Sequence, residues 1–213
     1  AVAVALARAL RADRPRLTWR FVFGPGTIGS LAWLSRNEHR LPRLRTGLVI
    51  GLLGDAGPLK YKQSRRGTTV TDRAAAFVLS QDPHRGIVTS FEPYGYDERQ
   101  FCSPGFDLPV GRLTRSSNGG YPEYHSSADD LSLIVPGKLA GSIRAAARMI
   151  SVLDANRRLL NLSPKGEPRL GKRGLYGSIG GAGPGEFEHA LLWVLSLADG
   201  SNDLLAMSER SGL

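Results

Sequence analysis

Val2, Leu6 and Leu10 fall on one helical face with Arg8, Arg11 and Arg14 opposite, so Ala1 to Leu10 predicts an amphipathic helix. No basic segment precedes the apolar run, as a secretion signal would require. Alternation of Leu17, Trp19, Phe21 and Phe23 predicts a strand, and Thr27 to His39 a helix that Pro42 brings to a close. The unbroken apolar run Gly47 to Gly54 predicts a buried central strand. Leu59 to Gln63 predicts a further strand, Asp72 to Ser80 a helix begun by an Asp cap, and Ile87 to Phe91 and Leu108 to Leu113 two more extended segments. Lys138 to Leu160 predicts one long helix with Leu139, Ile143, Ala147, Ile150 and Leu153 on its apolar face. Helical and extended segments alternating in this manner predict an α/β domain over residues 1–160.

The texture changes beyond Leu160. Asn161 to Gly185 is rich in Gly, Pro, Lys and Arg without a period, which predicts a linker and a second domain over residues 161–213. Phe187 to Ala198 predicts a helix, Asp199-Gly200 a turn and Asp203 to Arg210 another helix, the opening of a helix-turn-helix whose recognition helix would lie further on. With 213 residues, 41% apolar and 22% charged, the chain can bury a substantial core, and wholesale disorder, collagen and coiled coil are disfavoured. Its longest apolar runs fall short of the ~20 residues a membrane span needs, which predicts no membrane partner. A single cysteine, Cys102, allows no internal disulfide and fits a reducing, cytoplasmic compartment. Twenty-eight Lys and Arg against nineteen Asp and Glu give a net charge of +9, mostly scattered Arg, so a dispersed solvated surface is preferred over a nucleic-acid footprint.

Four segments carry candidate chemistry. Gly24-Pro25-Gly26-Thr27-Ile28-Gly29 fits G-x-G-x-x-G between a predicted strand and helix, with Asp55 as a possible ribose acid. A dinucleotide oxidoreductase is therefore one reading and a plain strand-to-helix turn the preferred one. Tyr94 to Pro109 gathers acids, aromatics and turn residues; Asp97 could bind a metal or orient a metal-bound imidazole, or Asp97 or Glu98 could simply cap a helical turn. Cys102 could act as a nucleophile with His125, although a buried apolar role is its default. Tyr121 to Leu131 sets His125 on a polar loop four residues before Asp129, a setting that His39, His84 and His189 lack. Lys165, Arg169, Lys172 and Arg173 could touch phosphates or form a solvated basic linker. The Gly177 to Gly185 run lacks the Lys-Ser/Thr end of a phosphate loop, which excludes an ATPase of that type.

The succession FVFGPGTIGSLAWLSRNE, KYKQSRRG, YGYDERQFCSPGFDLPVGRLTR, GYPEYHSSADDL and NLSPKGEPRLGKRGLY resembles the bacterial aminopeptidase-like family of uncharacterised proteins, often encoded beside polysaccharide-biosynthesis genes. The resemblance implies a zinc-aminopeptidase-like three-layer α/β domain with a mixed, mainly parallel sheet, followed here by a partial C-terminal winged helix. It also implies a di-zinc exopeptidase chemistry in which metal ions activate water for attack on a peptide or amide bond. Tyr124-His125 through Asp129 is similar to the Tyr-His-Thr-x-x-Asp loop of that class. His125 is thereby implied as a zinc ligand, Tyr124 as a catalytic oxyanion donor and Asp129 as support for the ligand. Gly95-Tyr96-Asp97 through Phe101 is similar to the Ser-Asp-His-x-x-Phe segment, which gives Asp97 a supporting role.

The chain also departs from that pattern. Where working members place a Glu-Glu pair, it has Gly24-Pro25-Gly26-Thr27, without a carboxylate. The Asp expected near the end of the Gly47 to Gly54 run is replaced, if at all, by Asp55 as a metal residue. The remaining His and bridging Asp of the class come from sequence upstream of the first helix, so these 213 residues are expected to be inactive alone and to derive from a longer protein. A metal-dependent hydrolase of peptide or amide compounds leads. A non-catalytic binding or regulatory protein, whose winged helix meets nucleic acid or another protein, is the alternative.

Overall fold

The computed structural model describes residues 1–83, 86–175 and 185–213. It divides into two compact units, Ala1–Asp154 and Ala155–Leu213.

The first unit is built on a four-stranded sheet. Its helices are α1 (Val2–Asp13), α2 (Ile28–Asn37), α3 (Val70–Ser80), α4 (Glu98–Phe101) and α5 (Pro136–Ala155), and its strands β1 (Gly47–Ile50), β2 (Lys60–Lys62), β3 (Ile87–Thr89) and β4 (Val110–Thr114). The strand order is β1-β4-β2-β3, with β1 parallel to β4, β2 parallel to β3, and β2 antiparallel to β4. Strand alternation sends successive side chains to opposite faces. Leu48, Ile50, Tyr61 and Leu113 meet α1, α3 and α5 through Val2, Leu6, Ala75, Val78, Ala146 and Met149. Val49 and Val110 instead meet Leu34 of α2, Leu41 and Phe101 of α4. Helices on both faces of a mixed sheet make this a three-layer α/β domain, as expected.

Local chemistry accounts for the boundaries and for the differences from the sequence reading. Thr69, not Asp72, caps α3: the Thr69 hydroxyl accepts from the Asp72 N–H, and Asp72, three residues in, reaches back to the Thr69 N–H, a capping box. The run beginning at Gly47 forms only a four-residue, half-buried strand at one margin of the described sheet, so it is not central. Leu52 then turns the chain with φ 50°. No strand forms over 17–23, because no described segment pairs with it. Its alternation is nevertheless visible in burial: Trp19 and Phe21 pack on the core, while Arg20 and Val22 point to solvent. The helix after Thr27 continues beyond Asn37 as a 3-10 turn, Glu38–Arg43, which accommodates Pro42. Pro136 at the first turn of α5 loses no intrahelical donor.

The predicted helix over 138–160 ends at Ala155. Residues Arg158–Leu160 form β5, in the second unit, antiparallel to β6 (Asp199–Asp203). Leucines in a short run satisfy a helix or a strand equally well, and pairing decides. Asp199-Gly200, expected as a turn, is the start of β6; Gly200 takes φ 83° beside a register shift in the β5–β6 ladder. Helices α6 (Glu186–Leu197) and α7 (Leu204–Ser211) complete this unit, α7 being capped by Asp203, which accepts from the Ala206 N–H. Leu197, Ala198 and Met207 form its small core with Trp193 and Leu204. No helix among the described residues is long and apolar enough to cross a membrane.

Candidate functional site

The five residues implicated by sequence separate into two groups. Asp55, Tyr124, His125 and Asp129 belong to segments following the carboxyl ends of the parallel strands β1 and β4. Asp55 folds its own turn: one carboxylate oxygen accepts from the Gly57 N–H at 2.8 Å and the Ser116 hydroxyl at 2.7 Å, the other from the Ser116 N–H at 3.3 Å. Tyr121 links the other three. Its hydroxyl donates to Asp129 at 2.9 Å, its ring meets Tyr124 edge-on at 5.5 Å, and Tyr124 stacks on the His125 imidazole at 4.0 Å. Asp129 therefore holds Tyr121. His125 is exposed, has φ 59°, and makes no hydrogen bond through its ring to any described residue.

Burial, the hydrogen bond to Asp129 and the Asp129 charge push the Tyr121 phenol up to about 12, with Asp55 and Tyr124 adding to the shift. Because this exceeds the unfolded value of ~10, the stabilisation associated with Tyr121 is complete below pH ~10 and is lost as pH rises through about 12. In Asp129→Asn the tyrosinate titration, followed by near-ultraviolet absorbance, should move from about 12 towards 10; an unmoved midpoint would count against the Asp129 contribution.

Asp97 belongs to the other group. One of its oxygens accepts from the Thr27 N–H at 2.8 Å and from the Ser30 hydroxyl, so it ties down the residues that begin α2 from a segment seventy positions away. Thr27 lies at φ 56°, ψ −58°, and the Ile28 N–H returns to the Gly26 carbonyl at 2.7 Å, a γ-turn that is costly for a β-branched residue. Tyr96 is seated directly against Gly26, where a Cβ would fall 1.8 Å from its hydroxyl and displace the ring. Of the N–H groups at this helix start that a dinucleotide pyrophosphate would use, that of Thr27 is taken by Asp97 and those of Ile28 and Gly29 by the Gly26 and Pro25 carbonyls, which speaks against the oxidoreductase reading.

Cys102 is buried, donates to the Val110 carbonyl at 3.1 Å, and has its thiol pKa raised chiefly by burial, so it does not form a nucleophilic pair with His125. A depression of about 440 Å³ beside it is lined by Arg65, Phe91, Arg99 and Pro104 among others, and by none of the five candidate residues. Lys165, Arg169, Lys172 and Arg173 are exposed. His84 and the run 177–184 lie outside the described residues. Among the described residues, no three His, Cys, Asp or Glu side chains come together as a metal-binding group. His125 and the engaged Asp55 do not by themselves make up the ligand set of a zinc centre.

A cluster on the face of β4 that meets α2 escaped the sequence reading. Glu98 is fully buried, pairs with Lys62 at 2.6 Å and accepts from the Tyr96 N–H. Lys62 also donates to the carbonyls of Glu92 and Tyr94. Arg112 faces Lys62 in register on the adjacent strand, lies 5.7 Å from the Tyr96 ring and donates to Asn118 at 2.7 Å. The sequence signal for it was cations at register-facing positions in two otherwise core-forming strands, Lys60-Tyr61-Lys62 and Val110-Gly111-Arg112.

Residues 1–156 match the family model described as a domain of unknown function, DUF4910. The chain belongs to this family. Residues 157–213, after the DUF4910 domain, match a winged helix-turn-helix model. A Clostridium acetobutylicum protein named as a polysaccharide biosynthesis protein with an aminopeptidase-like domain is 44% identical over 209 residues, 98% of this chain and 48% of that protein. The crystal structure of a C. acetobutylicum protein named as a peptidase superposes with a TM-score of 0.88 at 40% identity, over 100% of this chain and 47% of that one. The chain thus spans about half the length of these relatives. BSAP, a zinc aminopeptidase from Bacillus subtilis, aligns over 71% of this chain and 39% of its own at 17% identity with a TM-score of 0.59, a likeness of fold. The aminopeptidase-like family resemblance and the α/β fold class read from sequence both hold.

Proposed function

We propose that this protein recognises a peptide or amide compound at segments 24–30, 94–98 and 116–129, and that the described residues hold the compound without hydrolysing it. The supporting observation is the engagement of Asp55, Asp97 and Asp129 with their own surroundings, beside a Gly24–Thr27 turn that offers no carboxylate as a general base. In calorimetry the peptide Ala-Ala-Ala should bind, and chromatography should detect no released alanine with or without added zinc. Zinc-dependent release of alanine would overturn this reading.

His125 favours a second reading, in which residues beyond those described complete a zinc-dependent hydrolase. The imidazole is exposed, and both ring nitrogens lack a described partner. On this reading His125 and Asp55 contribute to the metal site, Tyr124 donates to the oxyanion, and Asp97 and Asp129 support the loops. Stoichiometric zinc binding that disappears in His125→Ala would support it; identical stoichiometry in that variant would remove it.

A separate partner is proposed for the region over 161–213. Ala155–Leu213 carries seven basic and six acidic side chains, so the excess positive charge resides in the first unit. This balance favours a protein partner over nucleic acid. Affinity for duplex DNA attributable to this unit should vary with salt with a log–log slope of magnitude below about 2; a steep slope would reverse the preference.

A further inference from the structure

Arg112 has a balance of charge and hydrogen bonding that the proposed function does not use. Only 6% of the residue is exposed, and its Nε is one of the buried side-chain nitrogens without a hydrogen-bond partner among the described residues. A guanidinium cannot shed its proton to relieve this, and an uncompensated cation in the interior is strongly disfavoured. No described carboxylate lies within ion-pair distance of Arg112; the nearest candidate by position, Glu98, is committed to Lys62. Lys62 and Arg112 face each other across the β2–β4 ladder, so two cations share one anion and a single positive charge is left over.

The neighbours of that charge come from the candidate segments. Tyr96 precedes Asp97 and touches Gly26; Asn118 lies on the connection that leads from β4 to His125. Tyr96 covers the guanidinium yet is itself 40% exposed, so movement of this ring would uncover the Arg112 donors. A planar guanidinium presents paired N–H groups that match one carboxylate, and the single surplus charge suits a monoanion better than a phosphate dianion.

We propose that Arg112, with Asn118 and beneath Tyr96, is a receptor for one carboxylate of the bound compound. This rests on the peptide or amide reading above and adds that the compound is acidic. A peptide C-terminus and an acidic side chain offer the same two oxygens, and either source suits this receptor.

The test separates this proposal from the one it rests on. The ¹⁵N-labelled protein is titrated with N-acetylglycine and, as the neutral control, N-acetylglycinamide, read at the Arg112 Nε–H resonance assigned by its loss in Arg112→Lys. A saturable shift with the acid and none with the amide is expected. Calorimetry should show N-acetylglycine affinity falling about tenfold to a hundredfold in Arg112→Lys and falling also in Asn118→Ala, which leaves the guanidinium in place should the arginine variant fold poorly. Comparison of Ala-Ala-Ala with Ala-Ala-Ala-amide and Ala-Glu-Ala-amide then assigns the carboxylate to a terminus or a side chain. An Arg112 resonance indifferent to every carboxylate overturns the proposal even if peptides bind or are cleaved. Tighter binding of inorganic phosphate than of N-acetylglycine overturns it as well. A specific response to N-acetylglycine without binding of any peptide supports the carboxylate site and overturns the peptide reading alone.

Discussion

Asp72→Ala should destabilise the first unit by about 3–5 kcal/mol, among the largest effects expected from a single substitution outside the apolar core. The carboxylate is 1% exposed and accepts from five donors: the Tyr61 hydroxyl, the N–H and hydroxyl of Ser64, and the N–H and hydroxyl of Thr69. Deleting it strands several buried donors at once, and each costs more unsatisfied than its bond contributes when made. Burial, followed by the charge and hydrogen bond of Asp72, raises the Tyr61 pKa far above that of a free phenol, so Tyr61 remains a neutral donor. Thr69→Ala removes only the cap and should cost about 1 kcal/mol. Urea unfolding of the two variants distinguishes these magnitudes; equal losses would mean that Asp72 acts merely as part of the α3 cap.

Glu98→Ala should cost a similar ~3–5 kcal/mol for a different reason. It leaves Lys62 and Arg112 facing each other in register with no counter-charge, and it releases the Tyr96 N–H. Removing both partners, as in Lys62→Met with Glu98→Leu, should recover more than half of the loss, because desolvating an ion pair offsets most of its attraction and deleting both ends leaves only the single surplus charge of Arg112 that the parent already carries. Denaturant midpoints of the single and double variants measure this coupling. A double variant as unstable as Glu98→Ala would assign the role of Glu98 to the peptide N–H rather than to Lys62.

Much of the fold is legible from local rules because its elements obey them individually. The apolar faces of α1 and α5 follow helical periodicity, and the α3 helix was apparent from its first polar residues, although Thr69 and Asp72 exchanged roles. Partnership was not legible. Leu17 to Phe23 alternates like a strand but finds no ladder, whereas Leu159-Leu160 pairs with a segment forty residues away that contains Gly200 and reads as a turn. Candidate residues behaved similarly. Spacing marks Asp97 and Asp129 as interesting carboxylates, but only the tertiary structure shows that they hold Thr27, Ser30 and Tyr121. The importance of Lys62, Glu98 and Arg112 was hidden because a charged residue in sequence is expected at the surface, and it is pairing across β2 and β4 that draws these inward.

The bond from Asp97 to Thr27 and Ser30, together with the close seat of Tyr96 against Gly26, joins segments some seventy residues apart into a single lip. The strained turn at Thr27 has little freedom to relax without pulling Asp97, and behind it Glu98 and Lys62, along the same path. A substitution that dislodges Asp97 should therefore upset both segments at once, the Thr27 turn and the seat of Tyr96 being lost as a unit.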